Sequence, residues 1–395
     1  MLTDADLIVF SDDWGRHPFS CMHLMKKFLA HNRILWVNTI GMRHPRLTLY
    51  DLNRACGKVR GWVVGEREAN CALPENLTVI APLMIPYNNV PFIRRWNCHS
   101  VLSQTRATMQ RLGFRNPVLV ITVPNATDYV GYLDEEIAAY YCVDEFAEWP
   151  GVANKLVADM EGSLLRKVDL VVAVSDELLQ HKRSPLGPTR LLTHGVDIQH
   201  FGRVSSSGSR RPIPFFDAIS GPVIGYFGLF DERSDQALLE RLLQAHPDWS
   251  LVVLGRSVVD LGGLARYENF HHHGPVPYDN LPEWAARFDV CIIPYVMNKL
   301  TASINPLKLK EYLATGRPIV STAIPEAVKF DTWIGIGKDA GDFIAKVEAA
   351  LARGAAPAGQ LEAVVGEDWQ DKAEQFSGWI EESQARRRAL GAVES

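Results

Sequence analysis

Short runs of β-branched and aromatic residues recur along the chain, separated by longer stretches in which apolar positions return every three or four residues. The first pattern predicts buried strands and the second amphipathic helices. In the first half, strands are expected at 6–11, 34–38, 77–81, 118–123, 139–143, 170–174 and 190–193, with helices at 21–30, 100–112 and 154–166 between them. A polar, glycine-containing tract at 205–212 then interrupts the periodicity as a linker does. After it the alternation restarts, with strands expected at 223–228, 251–254, 290–294 and 318–321 and helices at 237–244, 281–288, 306–315 and 343–351. The last stretch, 369–389, predicts a helix with Phe376, Trp379 and Ile380 on one side. Strands alternating with helices form parallel sheets covered on both faces, so the expected class is α/β with two Rossmann-like doubly wound domains. Their expected limits are 1–204 and 213–368, joined by the 205–212 linker, with 369–395 a C-terminal helix beyond them. Such sheets bind ligands outside the carboxyl ends of their strands, which places the expected site in a cleft faced by both.

Composition narrows the class. A chain of 395 residues, 47% hydrophobic and 22% charged, has enough apolar surface for two cores and is not that of a disordered protein. No run approaches the ~20 apolar residues of a spanning helix, and the N-terminus lacks the positive region of a signal peptide. The six cysteines form no C-x-x-C pair, which suggests neither a zinc site nor a disulfide framework and fits a reducing cytoplasm. The net charge of −5 argues against a nucleic-acid partner. Residues 1–200 carry 21 basic and 21 acidic side chains, so the deficit lies in the second half. Within the first half, Arg33, Arg43, Arg46, Arg54, Lys58 and Arg60 face few acids, and Arg94-Arg95-Trp96 follows the apolar run 90–93. Two readings stand: a peripheral membrane contact through the first domain, or a solvated basic surface.

The most informative segment is 305–320, N-P-L-K-L-K-E-Y-L-A-T-G-R-P-I-V. Asn305 and Pro306 read as a helix start, with Asn305 as the cap, and Gly316 reads as its stop. A helix beginning at the strand ends offers free N–H groups and partial positive charge to a diphosphate, which Lys308 would neutralise further. Glu311, three residues on and one turn deeper, is placed to accept hydrogen bonds from ribose hydroxyls. An ordinary ion pair on a capped helix would show the same spacing.

The run P-L-K-L-K-E-Y-L-A-T-G-R-P-I-V-S-T resembles the donor helix of GT-B glycosyltransferases, particularly those that build bacterial exopolysaccharides and teichuronic-acid-like polymers. T-H-G-V-D at 193–197 resembles the end of the first domain in that family, and G-Y-F-G at 225–228 its glycine turn. H-G-P-V-P-Y-D-N-L-P at 273–282 and F-D-V-C-I-I-P-Y at 288–295 resemble its base-binding loop and the strand before the donor helix, and Trp369 with the helix 369–395 resembles its terminal helix, which implies a return to pack on the first domain. The resemblance implies a nucleotide-sugar donor, with UDP as the favoured nucleotide, and a ribose contact at Glu311. It implies Gly228, Arg233, Tyr278, Tyr295, Asn305 and Lys308 as further donor-binding positions, Lys308 also serving the reaction. Retaining members of the family carry a second glutamate eight positions before the ribose ligand, where this chain has Ser303. Related inverting enzymes use a lysine placed as Lys308 is, and on sequence both stereochemical outcomes stay open.

An inverting transfer needs a carboxylate to take the acceptor proton, and Asp144, at the end of the strand A-A-Y-Y-C-V-D-E-F, is the candidate; a cap for the following loop is the alternative. Asp13, Gly15, Arg16 and His17 follow the first strand and are the candidate acceptor-side residues, or a polar surface turn. His271, His272 and His273 alternate across a strand and cannot converge on a metal, and Asp4-Ala5-Asp6 lacks the context of a metal-binding D-x-D. Neither metal nor cofactor is expected. The expected activity is transfer of a sugar from a nucleotide-sugar to a hydroxyl acceptor, lipid-linked (polyprenol) or a growing polysaccharide, at the cytoplasmic face of the membrane. The rival readings are a nucleotide-sugar epimerase of the same fold and a catalytically silent subunit of a polysaccharide assembly complex.

Overall fold

The computed structural model describes residues 1–15, 19–40, 73–206 and 212–394. The chain divides into two compact units, one formed by Met1–Val174, Leu178–Leu192 and Ala373–Ser395, the other by Ser175–Glu177 and Thr193–Lys372.

The first unit is built on seven parallel strands: β1 (Asp6–Ser11), β2 (Arg33–Asn38), β3 (Leu77–Ile80), β4 (Val118–Ile121), β5 (Ile137–Cys142), β6 (Leu170–Ala173) and β7 (Thr189–Leu191). Their order is β3-β2-β1-β4-β5-β6-β7. The central strands are buried on both faces, as the unbroken apolar runs L-I-V-F of β1 and V-L-V-I of β4 require. The strand order reverses between β1 and β4, and the loops after β1 and β5 carry Asp13 and Asp144 at the carboxyl edge of this sheet. Behind β5, Lys182 sits between Glu145 and the buried Glu161, 2.7 Å from each, and Glu161 also accepts the Tyr140 hydroxyl at 2.7 Å. This buried pairing ties the loop that follows β5 to the helix Asn154–Leu165.

The C-terminal helix, Trp369–Glu394, belongs to this unit from Ala373 onward. Phe376 is fully buried, 6.0 Å between ring centroids from both Phe28 and Tyr141, and Ser377 accepts the main-chain N–H of Leu2.

The second unit contains six parallel strands: β8 (Val223–Phe227), β9 (Ser250–Leu254), β10 (Phe270–Gly274), β11 (Val290–Ile293), β12 (Ile319–Thr322) and β13 (Gly335–Gly337), in the order β10-β9-β8-β11-β12-β13. Here the order reverses between β8 and β11, which pair through Ile224–Val290 and Gly225–Cys291. The division between the units falls at Leu192 and Thr193, ahead of the expected boundary near 205. The reason lies in the helix Ile198–Ser206, whose buried Phe201 stacks 6.1 Å from Phe227 at the end of β8 and lies edge-on to Tyr278. Residues 193–197 and this helix therefore open the second unit. Most of the expected linker, 207–211, lies outside the described residues.

Candidate functional site

The site is assembled at the strand-order reversal of the second unit, where the loops after β8 and β11 meet the helix Leu307–Thr315. That helix ends where expected, at Gly316 in the left-handed conformation (φ 68°). Its start differs from the expectation. Pro306 occupies the cap position and no side chain caps the first turn. Asn305 turns instead toward the buried Glu326, its Nδ2 donating to Oε2 at 3.3 Å, while Oε1 accepts the Asp176 N–H and the Lys329 ammonium. The first-turn N–H groups consequently carry no side-chain cap of their own.

Lys308 leaves this first turn and runs inward. Its ammonium donates to the hydroxyls of Tyr226 at 2.5 Å and Tyr295 at 2.9 Å, and it lies 3.8 Å from the centre of the Tyr226 ring. Tyr226 comes from β8 and Tyr295 from the loop after β11, so the pairing of those two strands sets the cradle. An ammonium has three protons, and the third finds no acceptor among the described residues. Burial lowers the Lys308 pKa, opposed by Tyr295; burial would raise the Tyr295 phenol, but the charges of Lys308 and Arg233 outweigh it and bring it below its usual value.

Gly228 closes this cradle. Its φ of +114° is one that side chains rarely adopt, and a Cβ there would lie 3.3 Å from both Cε and Nζ of Lys308. Gly255, after β9, faces the same turn: a Cβ on it would overlap the Gly228 carbonyl at 2.0 Å. Main chain alone fits between these loops.

Glu311 lies one turn beyond Lys308, 7% exposed, and among the described residues no donor reaches its carboxylate. Burial raises its pKa to about 8, against the opposing charge of Lys308. A carboxylate in this state is short of hydrogen-bond donors. The Tyr278 ring stacks on His200 with centroids 4.6 Å apart, while its carbonyl is 3.0 Å from the His200 Nε2. Burial raises the Tyr278 phenol, and the Glu311 charge adds to this, so the two share a neighbourhood.

Arg233 is held by Asp231 in a two-pronged pair, Nε to Oδ1 at 2.9 Å and Nη2 to Oδ2 at 2.7 Å, with its guanidinium 5.7 Å from the centre of the Tyr295 ring. Asp231 is 1% exposed, so the fork is fixed from beneath.

The second unit therefore gathers Gly228, Arg233, Tyr295, Lys308 and Glu311 around one helix start, with Tyr278 beside them. Sequence reasoning missed Tyr226, Asp231 and Gly255 as contributors. Tyr226 stood inside the quoted G-Y-F-G, but only the β8–β11 register shows that its hydroxyl meets Lys308. Ser303, at the position of the family's second glutamate, is buried; its hydroxyl donates to the Lys299 carbonyl and its own carbonyl accepts from Ser175. Asp13, Gly15 and Asp144 belong to the first unit. There Trp14, between Asp13 and Gly15, donates its main-chain N–H to Asn38 at 3.1 Å and stacks edge-on against Trp36, and Gly15 has a φ of 80°. Arg16 and His17 lie outside the described residues. His272 contacts the Gly255 carbonyl at 2.7 Å, and His273 packs against Trp284.

Residues 221–353, within the second unit, match the family described as Glycosyl transferases group 1. Among curated proteins the chain is similar to TuaH of Bacillus subtilis (strain 168), which is named as a teichuronic acid biosynthesis glycosyltransferase. The two are 25% identical over 184 residues, 45% of this chain and 46% of that protein, so the match spans about half the length of each. Among solved structures, sucrose-phosphate synthase from Thermosynechococcus elongatus superposes with a TM-score of 0.71 at 15% identity, covering 97% of this chain and 100% of that one. HepE of Anabaena, in complex with UDP and glucose, gives 0.64 at 11% identity over 95% and 99%. The E. coli trehalose-6-phosphate protein bound with UDP-2-fluoro glucose gives 0.63 at 13% over 96% and 99%. The fold is that of the GT-B glycosyltransferases, two Rossmann-like parallel-sheet domains.

Proposed function

We propose that this protein transfers a sugar from a nucleoside diphosphate sugar, UDP being the nucleotude favoured by its relatives, to a hydroxyl acceptor. The observation that carries the reading is the pairing of Glu311 with Lys308 on one helix: a buried carboxylate lacking donors, one turn from a buried ammonium with a proton to spare. A ribose diol supplies the first with two donors, and a diphosphate supplies the second with an acceptor. The uncapped first turn and Arg233 add positive character on the phosphate side.

In the reaction the acceptor oxygen bonds to the anomeric carbon as the bond from that carbon to the phosphate oxygen breaks. The electron pair leaves with the nucleoside diphosphate, whose charge Lys308 and Arg233 stabilise, and the acceptor proton passes to Asp144. Gly255 lets the Gly228 turn close against it, and Gly228 lets Lys308 lie against the main chain on the phosphate side. Asp13, Gly15, Arg16 and His17 serve the acceptor side. No metal is assigned a role, the cationic side chains supplying the charge.

The acceptor is a growing polysaccharide or a polyprenol-linked intermediate, as the likeness to a protein named for teichuronic acid biosynthesis supports. The protein then works at the cytoplasmic face of the membrane and touches it through the first unit. No helix among the described residues is long and apolar enough to cross. Incubating UDP-sugars with the protein, with and without a lipid extract, tests the reading. Sugar incorporation into the extract and release of UDP are expected; isomerisation of the donor without acceptor would overturn it in favour of an epimerase.

A further inference from the structure

The first unit displays an apolar turn whose large side chains are exposed. Leu83, Ile85, Tyr87, Val90 and Phe92 are all exposed, Phe92 to 79%. They fall within ten residues leading into the helix Pro91–Leu112. An isolated exposed leucine is ordinary, but five large apolar side chains on one short segment are not.

The segment is also fastened in this exposed form. Asn97, itself 2% exposed, accepts the Ile85 N–H through Oδ1 and donates through Nδ2 to the Ile85 carbonyl and to Asn88 Oδ1, each at 2.8 Å. Ser100 donates to the Leu83 carbonyl at 2.7 Å. One turn of helix thus pins the main chain of the apolar segment at two places. Side chains held outward by a main chain tied at two places do not readily collapse onto the protein to escape water.

Charge identifies the occupant. From residue 76 to 127 the chain has no aspartate or glutamate, while it has Arg94, Arg95, Arg106, Arg111 and Arg115. Arg94 is occupied by Asp128 at 2.6 Å. Arg95 and Arg106 are exposed and lie on one stripe of the helix running back from Phe92, Arg106 donating to the Tyr132 carbonyl, a neutral partner that leaves its charge uncompensated. Apolar side chains that enter the acyl boundary, flanked by cations at headgroup level, are the chemistry of a surface for anionic lipid. A second copy of this chain would bring the same cations against themselves.

We infer that the turn 83–92 and the arginine stripe of the following helix form a docking surface for an anionic phospholipid bilayer. This deepens the reading above by naming the surface at which a membrane-borne acceptor is met. Because Phe92 is exposed, its replacement leaves the core intact.

Sedimentation of the full-length protein with vesicles tests the inference, using pure phosphatidylcholine and phosphatidylcholine mixed with phosphatidylglycerol. Wild type is expected to partition roughly tenfold or more in favour of the phosphatidylglycerol vesicles, less so at high salt. Phe92→Asp and Arg95→Glu should each lower that partition by roughly tenfold, with unchanged melting temperature and unchanged UDP affinity. Equal partition of wild type and Phe92→Asp, or no preference for the anionic lipid, would overturn the inference. So would a concentration-dependent dimer that Phe92→Asp disperses. Wild type that binds vesicles but not UDP would instead overturn the donor assignment and leave the surface standing.

Discussion

The ammonium of Lys308 lies 3.3 Å from the point a Cβ on Gly228 would occupy. The absence of a side chain after β8 is therefore part of how the lysine reaches the Tyr226 and Tyr295 hydroxyls. Gly228→Ala should displace the Lys308 ammonium by a few tenths of an ångström and impose an unfavourable backbone conformation, costing roughly 1–2 kcal/mol of stability. UDP affinity should fall more than the stability loss explains. Denaturation and calorimetry on the same variant separate the two effects.

Glu311 makes stability and donor affinity depend on pH in opposite senses. Its folded pKa of about 8 stands above the 4.5 of an unperturbed glutamate, so the unfolded chain gives up this proton first. The contribution of Glu311 to stability is full below 4.5 and is lost as pH rises toward 8. Glu311→Gln should therefore melt increasingly above wild type as pH rises through that window. A bound ribose favours the ionised form, so UDP binding at neutral pH should release close to one proton, about 0.9 for a group half-titrated at pH 8. Calorimetry in buffers of different ionisation enthalpy measures this release. Its persistence in Glu311→Gln would place the proton elsewhere.

Asp231 fixes the Arg233 fork without facing solvent. Asp231→Asn should loosen the guanidinium and destabilise the protein by about 2 kcal/mol. The informative comparison is between nucleotides: UDP should lose affinity and UMP should lose less, because Arg233 is assigned to the leaving diphosphate. Equal losses for both would remove Arg233 from that role.

Asp144→Asn should lower turnover by roughly a hundredfold or more while leaving UDP affinity within about twofold, as the loss of a general base does. Single-turnover assays with an acceptor extract, beside UDP titrations, read the two quantities apart. Unchanged turnover would send the search for the base to Asp13.

The parallel sheets were legible because their central strands are continuous apolar runs, and the donor helix because Gly316 marks its end. The helix Pro91–Leu112 begins nine residues before the expected 100, since Arg94 and Arg95 dilute the apolar periodicity that a sequence pattern needs. Strand β13 is G-I-G, a composition that announces no strand; it is held by its neighbour β12. In the site, Lys308 and Glu311 could be read from spacing and resemblance. Tyr226 and Asp231 could not, because their roles depend on which strands lie side by side and on a two-pronged contact between residues two apart in a loop. Asn305 holds a position that fits a cap, but its amide donates instead to the buried Glu326, 21 residues later, a partner that spacing does not announce.

The central claim is that the helix Leu307–Thr315 holds a nucleoside diphosphate through Lys308 and Glu311. Titrating UDP into wild type, Lys308→Ala and Glu311→Ala by calorimetry tests it most directly. Saturable binding by wild type is expected, with affinity reduced at least roughly tenfold, 1.4 kcal/mol, in each variant. Binding of equal strength by wild type and both variants, all folded, would contradict it.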